Sequence, residues 1–213
     1  MEFLQTFDPP GWRGVVASDA GGGNRDAAWV KDFDGFSLAL VIDPKGGIGG
    51  GEEATRTILE FLDLAVIEPV FDKVSDLLFL MEQEVVKEGS GGEASLALAM
   101  ITRRGIFAAS VGDSQVWIRQ DRTVTRLSGR RKFGSGFEIG TSGLMFELNR
   151  FPRPTTHWVA LLTDGCAHLI DAPFVDDLVT ESAGGSAFLD RIEARPDAQI
   201  LDSFSLLVHP GRV

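Results

Sequence analysis

Aspartates stand at the ends of three apolar segments of the sequence. Asp43 and Asp164 each close an apolar run, and Asp202 stands just before the last one. A carboxylate at the mouth of a buried strand costs free energy unless it is paired or bound to a cation. Several such groups converging from different strands would repel one another, and a hard divalent ion such as Mg²⁺ or Mn²⁺ is the usual remedy. Each aspartate alone is typical of a turn, so only their joint arrangement indicates a metal site.

The segments that would carry these aspartates are short runs rich in Val, Leu, Phe and Trp, separated by Gly, Asp and Pro. Strands are predicted at Gly14–Ser18, Ala28–Phe33, Phe36–Ile42, Ser95–Thr102, Ile106–Val111, Gln115–Arg119, Val124–Leu127, Trp158–Thr163 and Phe204–Val208. Apolar residues at helical spacing predict helices from Ala54 to Ala65 and from Val74 to Val85, and two more helices are predicted at Pro173–Thr180 and Ser186–Ala194. The stretch Ser128–Pro154 lacks periodicity and is predicted to form an irregular flap with a short strand around Leu144–Leu148.

The order of these elements is strands, two helices, an antiparallel meander, further helices and a final strand. This order differs from the regular alternation of a doubly wound parallel sheet. It predicts an α/β protein of the α+β type, in which two mostly antiparallel β-sheets are sandwiched between pairs of α-helices. Sheets covered on both faces explain why the strands are almost unbroken apolar runs. We expect residues 1–213 to form a single domain.

The overall composition limits which binding partners and which cellular compartment are expected. The 31 acidic residues against 20 basic residues leave a formal charge of −11, which would repel the phosphate backbone of a nucleic acid. The apolar runs are too short to span a bilayer, so no membrane partner is expected. The lone Cys166 and the absence of a signal-like N-terminal segment indicate a cytoplasmic protein.

One segment also matches a nucleotide-binding pattern. Residues 49–54, Gly-Gly-Gly-Glu-Glu-Ala, match the dinucleotide-binding pattern Gly-x-Gly-x-x-Ala and open a predicted helix. The preceding strand ends near Asp43, several residues too early, and a second helix follows where that fold requires a parallel strand. A dinucleotide site is therefore disfavoured.

Five segments, in order, resemble the motifs of the metal-dependent type 2C (PPM) protein phosphatases of the bacterial type, with this chain as a divergent member. They are SDAGGGNRD at 18–26, VIDPKGGIGGGEEA at 41–54, ASVGDS at 109–114, LLTDG at 161–165 and Asp202-Ser203. Each segment alone is a weak match. Their order and spacing together make the resemblance specific, and it covers nearly the whole chain.

The resemblance implies an activity and a role for each aspartate. It implies hydrolysis of phosphoserine and phosphothreonine by water that two Mg²⁺ or Mn²⁺ ions activate. Asp43 would bridge the two ions, and Asp164 and Asp202 would bind one of them. Asp26 would orient the water, and Asp113 would help to hold an optional third ion.

The sequence departs from the family pattern at three positions. Gly21 stands where the family has the arginine that grips the substrate phosphate. Arg25 replaces an acidic or amide residue; it would either bind the substrate phosphate in place of the missing arginine or pair with a neighbouring carboxylate. Pro44 replaces a glycine whose carbonyl binds one metal ion, and it still has a carbonyl to offer although its φ is fixed.

Two hypotheses follow from the sequence. The first is a metal-dependent serine/threonine phosphatase that acts on a phosphoprotein. The second is a pseudophosphatase that keeps the fold and binds a regulatory protein partner, for which Gly21, Arg25 and Pro44 are the evidence. The basic segment Ser128–Lys132 is either a solvated loop or a patch that attracts an anionic phosphopeptide.

Overall fold

The computed structural model describes residues 3–7, 11–18, 26–46, 49–134, 137–180, 190–191, 194 and 204–211. The strands in these residues are β1 (Phe3–Phe7), β2 (Arg13–Ser18), β3 (Ala27–Phe33), β4 (Phe36–Lys45), β5 (Glu93–Thr102), β6 (Ile106–Val111), β7 (Gln115–Gln120), β8 (Thr123–Ser128), β9 (Phe146–Phe151), β10 (Thr156–Leu162) and β11 (Phe204–Pro210). The helices are α1 (Gly50–Leu64), α2 (Phe71–Glu88), α3 (Gly129–Phe133), α4 (Asp164–Ala167) and α5 (Ala172–Thr180), and Arg153–Thr155 forms a 3₁₀ turn.

The strands form two sheets in which every neighbouring pair is antiparallel. The first sheet has the order β3-β4-β5-β6-β9, and the second has the order β1-β2-β11-β10-β7-β8. The prediction that β5 to β8 form one antiparallel meander is wrong, because β5 and β6 pair in the first sheet whereas β7 and β8 pair in the second. The turn between β6 and β7 therefore crosses from one sheet to the other. The fold class predicted from the sequence is confirmed.

Three apolar clusters hold these layers together. On β4, Leu38, Leu40 and Ile42 pack against α1 and α2, whereas Ala39 and Val41 pack against the second sheet. Successive side chains of a strand point to opposite faces, so β4 contributes residues to both clusters. Because both faces are buried, its sequence is an unbroken apolar run without alternating polar residues. A third cluster joins the outer face of the second sheet to α4 and α5.

The two long helices form as their spacing predicts. The buried residues of α1 include Ala54, Ile58 and Leu62, which lie on one helical face against the first sheet. The helix α2 ends at Gly89, whose φ of 80° suits a left-handed C-cap. No helix in the described part of the chain is long and apolar enough to span a bilayer.

The structure differs from the sequence prediction in four further places. The strand β1 and the single helical turn α4 were not predicted. The strand β9 begins at Phe146 and extends to Phe151, beyond the predicted strand around residues 144–148. α3 lies within the stretch expected to be an irregular flap. The predicted helix Ser186–Ala194 lies outside the described residues except for 190, 191 and 194.

Candidate metal centre

The layer between the two sheets changes from apolar to polar at one end. On β4 the residues that face the second sheet are Ala39, Val41 and then Asp43. The same two-residue period brings a polar side chain to this end from five strands or their ends: Asp43, Ser95, Ser110, Thr163 and Ser205. The strand period therefore creates a polar cleft where the sandwich opens.

Three carboxylates meet in this cleft. Asp43 lies in β4, Asp113 lies in the turn after β6, and Asp164 is the first residue of α4. One oxygen from each lies within 4.8 Å of the others. Oxygens that bind one Mg²⁺ or Mn²⁺ ion at roughly 2.0–2.6 Å are separated by up to about 5 Å, so this spacing fits a shared hard cation.

A lysine also enters the cluster. Lys45 lies two residues after Asp43 on β4, so the strand period places it on the same face. Its Nζ donates a hydrogen bond to Oδ1 of Asp113 and lies 3.9 Å from Oδ2 of Asp43 and 3.8 Å from Oε1 of Glu138. Arg130 Nη1 donates to the second oxygen of Asp113 at 3.0 Å. Both oxygens of Asp113 are thus paired with basic side chains.

The pKa values of the cluster follow from this arrangement. Burial, the charge of Asp164 and the charge of Asp113 raise the pKa of Asp43 to about 7, although Lys45 and a hydrogen bond from Ser95 partly oppose the rise. Burial acts in the same direction on Asp113, but the hydrogen bond and charge of Lys45 outweigh it and lower the pKa of that carboxyl. The pKa of Lys45 is raised, because its acidic neighbours outweigh the burial of its ammonium group.

The donor set suits a divalent ion by its charge as well as its spacing. Lys45 lies within 3.9 Å of the carboxylates of Asp43, Asp113 and Glu138, and Asp113 also pairs with Arg130. Burial, and then the negative charge of Asp164, raise the pKa of Asp43, so its ionised form is unfavourable in the cleft without a further cation. A divalent cation beside Asp43 and Asp164 would offset the repulsion between the two carboxylates. Carboxylate oxygens are the ligands that hard divalent ions prefer.

Asp26 takes a different position, next to the group of three. It is 5% exposed, and its Oδ2 accepts a hydrogen bond of 2.6 Å from Thr163 Oγ1. The Thr163 hydroxyl accepts in turn from the backbone N–H of Ser205 at 2.8 Å. Asp26 therefore links the first sheet to the end of the second. Nearby Cys166 is fully buried, and burial and then the charge of Asp26 raise the pKa of its thiol, so it has the character of a core residue.

The remaining predicted site residues divide into two groups. Pro44 is buried in β4, opposite Ala94 of β5 and next to Asp43. Asp202, Arg25 and Gly21 lie outside the described residues. The structure thus brings Asp43, Asp113 and Asp164 together, with Asp26 and Pro44 close to them along the chain or the sheet.

A cavity of about 380 Å³ adjoins the carboxylates. Asp113 and Asp164 form its acidic wall, and Arg130 and His168 also line it. Arg130 belongs to the basic segment that the sequence suggested as a patch for an anionic phosphopeptide. A guanidinium in this position is suited to bind a phosphate group that also contacts divalent cations held by the neighbouring carboxylates.

Solved structures match this fold, whereas no family model matches the sequence and no curated protein sequence matches it significantly. The serine/threonine phosphatase Stp1 from Staphylococcus aureus is similar with a TM-score of 0.71 at 15% identity, with 92% of this chain and 94% of that chain covered. The S. agalactiae serine/threonine phosphatase has a TM-score of 0.73 at 16% identity, with 93% and 99% covered. RsbX, solved in complex with magnesium, has a TM-score of 0.68 at 12% identity, with 98% and 99% covered.

The chain has the fold of the bacterial serine/threonine phosphatases. The resemblance that the sequence motifs carry is confirmed at the level of this fold. The low identities mean that the phosphatase fold is shared while most side chains have changed. The chemistry of this chain must therefore be argued from its own residues.

Sequence reasoning missed three parts of the site within this phosphatase fold. Lys45 had a usable signal, because the two-residue period of β4 places it on the face of Asp43. Ser95 had the same signal once β4 and β5 are paired, since it lies directly opposite Asp43. Glu138 had none, because it lies in an irregular segment joined to β5 only by the Ala94–Ile139 bridge.

Proposed function

We propose that the chain is a metal-dependent serine/threonine protein phosphatase that hydrolyses phosphoprotein monoesters in the cytoplasm. The observation that carries the proposal is the meeting of Asp43, Asp113 and Asp164 at the open end of a sheet sandwich with this fold. The adjoining cavity supports it, because it places a basic side chain beside the acidic group.

Asp43 and Asp164, with Asp202 from its predicted position, would hold two Mg²⁺ or Mn²⁺ ions, and the Pro44 carbonyl would be a further ligand. When bound, such ions supply positive charge that makes water more acidic and stabilises the phosphoryl group as negative charge develops. Ser95 orients Asp43 by donating a hydrogen bond of 3.2 Å to it. Thr163 fixes the Asp26 carboxylate, which would orient the attacking water.

Substrate binding would fall to basic groups of the chain. Arg130 lines the cavity with 57% of its side chain exposed, so its remaining guanidinium hydrogens can meet a phosphate group. Arg25 remains a second proposed phosphate ligand, in place of the arginine that Gly21 lacks. The phosphate would thus lie between Arg130 and the metal-binding carboxylates.

A second function is favoured by the position of Lys45. Its ammonium group lies among the carboxylates where a further cation would otherwise go, and both oxygens of Asp113 are paired. A chain that satisfies its acidic cluster internally needs fewer ions and would be a poorer hydrolase. The alternative is a pseudophosphatase that uses the same cleft to bind a phosphorylated regulatory partner.

Hydrolysis of a phosphoserine peptide across a Mn²⁺ series tests both proposals. We expect hydrolysis that depends on Mn²⁺ and falls at least about 100-fold in Asp43→Asn, because the variant keeps the shape but loses the charge that binds cations. Asp121→Asn is the matched control, since Asp121 lies in an exposed turn with φ of 48°, which asparagine tolerates. Peptide binding without hydrolysis at every Mn²⁺ concentration would favour the pseudophosphatase, and equal hydrolysis by Asp43→Asn would contradict the assigned site.

A further inference from the structure

A second cavity, of about 620 Å³, lies at the other end of the first sheet. It is bounded by the β3–β4 turn at Gly35 and by the β5–β6 turn at Arg103 and Arg104. Asp43 stands eight residues beyond Gly35 along β4 and its turn, which corresponds to roughly 26 Å at about 3.3 Å per residue. The cavity is therefore separate from the candidate metal centre.

Arginines dominate the charge of this cavity. Arg103, Arg104 and Arg150 line it, and Asp34 is the only carboxylate among the described residues that do so. None of the three arginines forms an ion pair within the described part of the chain, whereas basic residues on the helices, such as Arg56, pair with neighbouring glutamates. In a chain with a formal charge of −11, this local excess of positive charge favours an anionic ligand.

The turn that carries two of these arginines does not use their guanidinium groups. The Thr102 Oγ1 accepts from the backbone N–H of Arg104 at 3.2 Å and of Gly105 at 3.0 Å. Arg153 Nη1 donates to the Thr102 carbonyl at 3.1 Å. The turn is thus fixed by Thr102 and Arg153, and the side chains of Arg103 and Arg104 remain free to meet a ligand.

An apolar wall stands beside the arginines. Val70 is 47% exposed, and Phe71 follows it at the start of α2. The Phe71 ring packs edge-on against Phe107, with centroids 5.6 Å apart. Arg150, which pairs with Phe107 across β9 and β6, has its guanidinium 5.8 Å from the centroid of the Phe107 ring. This wall presents exposed apolar surface beside the cationic groups.

We propose that this cavity binds a small molecule that carries phosphate groups and a flat ring, of the nucleoside phosphate class. The phosphate oxygens would meet the guanidinium groups of Arg103, Arg104 and Arg150, and the ring would cover Val70 and Phe71. The volume lies in the range of small-ligand pockets, about 300–1,000 Å³, and an apolar wall next to charged groups is typical of such sites. The cavity is bounded by turns at both sides, which favours a compact ligand over an extended peptide.

Calorimetric titration with ADP in EDTA tests the proposal without involving the metal centre. We expect ADP to bind, with adenosine and inorganic phosphate each weaker by roughly tenfold or more, because each lacks one of the two kinds of contact. Arg103→Ala and Arg150→Ala should each weaken ADP binding by roughly tenfold or more. All these arginines are exposed, and the thermal unfolding midpoint of each variant without ligand verifies that it folds.

Two controls separate this site from other sources of binding. Arg122→Ala removes an exposed turn arginine of the β7–β8 hairpin and should leave ADP affinity unchanged. Asp43→Asn should also leave it unchanged, so this result does not depend on phosphatase activity. The proposal is overturned if ADP does not bind, if the arginine variants bind it as tightly as the wild type, if inorganic phosphate binds as tightly as ADP, or if a phosphoserine peptide binds there in preference to ADP.

Discussion

At the scale of single residues, the site is governed by the balance between Lys45 and its carboxylates. The Lys45 ammonium hydrogen-bonds to Asp113 and lies 3.9 Å from Asp43, yet burial and neighbouring charges still raise the pKa of Asp43 to about 7. Lys45 therefore lowers the pKa of Asp113, whereas burial and the charge of Asp164 outweigh its effect on Asp43. A cation that enters the cleft gains from Asp43 and Asp164 but meets repulsion from Lys45.

Replacing the lysine should reveal that competition. Lys45→Met keeps a long unbranched side chain and removes its charge. We therefore expect Mn²⁺ affinity, measured by calorimetric titration, to rise about tenfold or more. In EDTA the same variant should unfold at a lower temperature than the wild type, because the carboxylates lose their partner. Lys87→Met, at an exposed pair with Glu84 on α2, is the matched control and should change neither quantity. Equal Mn²⁺ affinity of wild type and Lys45→Met would show that Lys45 does not occupy a cation's place.

The sequence predicted the acidic side of this site better than the basic side. Asp43 and Asp164 were found because each stands at the end of an apolar strand, a position that needs a physical explanation. Asp113 was found only through the resemblance of residues 109–114 to a phosphatase motif. Lys45 looked like part of a glycine-rich turn, since Pro44 and Gly46 flank it, although β4 continues through it. The predicted roles of Arg25, Gly21 and Asp202 stay predictions.

At the scale of elements, the β6–β7 turn determines where Asp113 lies. Gly112 has a φ of 65°, and the Ser110 Oγ donates to the Ser114 carbonyl at 2.6 Å and accepts from the Gly129 N–H at 2.9 Å. The turn is thus tied both to itself and to the start of α3. Because Arg130 follows Gly129, the same contacts also place the second partner of Asp113.

A methyl group at Gly112 should disturb this turn. A Cβ there would lie 2.7 Å from the Ser95 Cβ and 3.1 Å from the Glu138 Cγ, and the left-handed backbone adds strain of about 1–2 kcal/mol. We expect Gly112→Ala to lower the free energy of unfolding by about 2 kcal/mol or more and to weaken Mn²⁺ binding. Gly89→Ala has a similar φ of 80° with its nearest atom 3.9 Å away, so it should show the strain without the loss of Mn²⁺ affinity. Unchanged Mn²⁺ binding by Gly112→Ala would mean that the turn does not position the cluster.

Elements with strong periodicity were predicted, and elements without it were not. The helices α1 and α2 and the hairpins β5–β6 and β7–β8 repeat apolar residues over several turns or strands. The sequence predicted these strands but not their division between two sheets. In contrast, β1 is a five-residue strand that pairs only with β2 at the sheet edge, and its Gln5 and Thr6 are exposed. The four-residue α4 is too short for any helical period to appear. Pairing with β2 forms β1, and burial of Cys166 holds α4 against the second sheet. The local sequence pattern records neither contact.

At the scale of the whole molecule, the two ends of the inter-sheet layer have opposite character. One end opens at the carboxylates, whereas the other is sealed by Trp12 and His209, whose rings lie 5.1 Å apart. Trp12 Nε1 donates to the Ser37 hydroxyl at 3.2 Å, which closes the layer with a neutral hydrogen bond. His209 is 4% exposed, and its Nδ1 has no hydrogen-bond partner among the described residues. The closed end is therefore built for an uncharged imidazole.

That closed end should make the stability of the molecule depend on pH. Burial, and then the positive charge of Arg153, lower the pKa of His209 from 6.5 to about 4, although a backbone hydrogen bond at Pro210 opposes the change. Between pH 6.5 and pH 4 the unfolded chain binds a proton that the folded chain excludes, so stability falls as the pH falls through this window. The difference between the two pKa values corresponds to about 3 kcal/mol.

Replacing His209 with an aromatic residue that does not titrate isolates this contribution. Urea unfolding of wild type and His209→Phe in EDTA, from pH 7 to pH 4, should show that the wild type loses about 3 kcal/mol more than the variant. Asp43 contributes in the opposite direction, because its folded pKa of about 7 lies above the ordinary value of 3.8 and the folded state gains a proton as the pH falls. That contribution is common to both proteins and cancels in their difference. His157→Phe, at a histidine with 40% of its side chain exposed, should follow the wild type. Parallel curves for wild type and His209→Phe would show that the imidazole takes up its proton without cost, and that the closed end of the layer admits charge as readily as the open end.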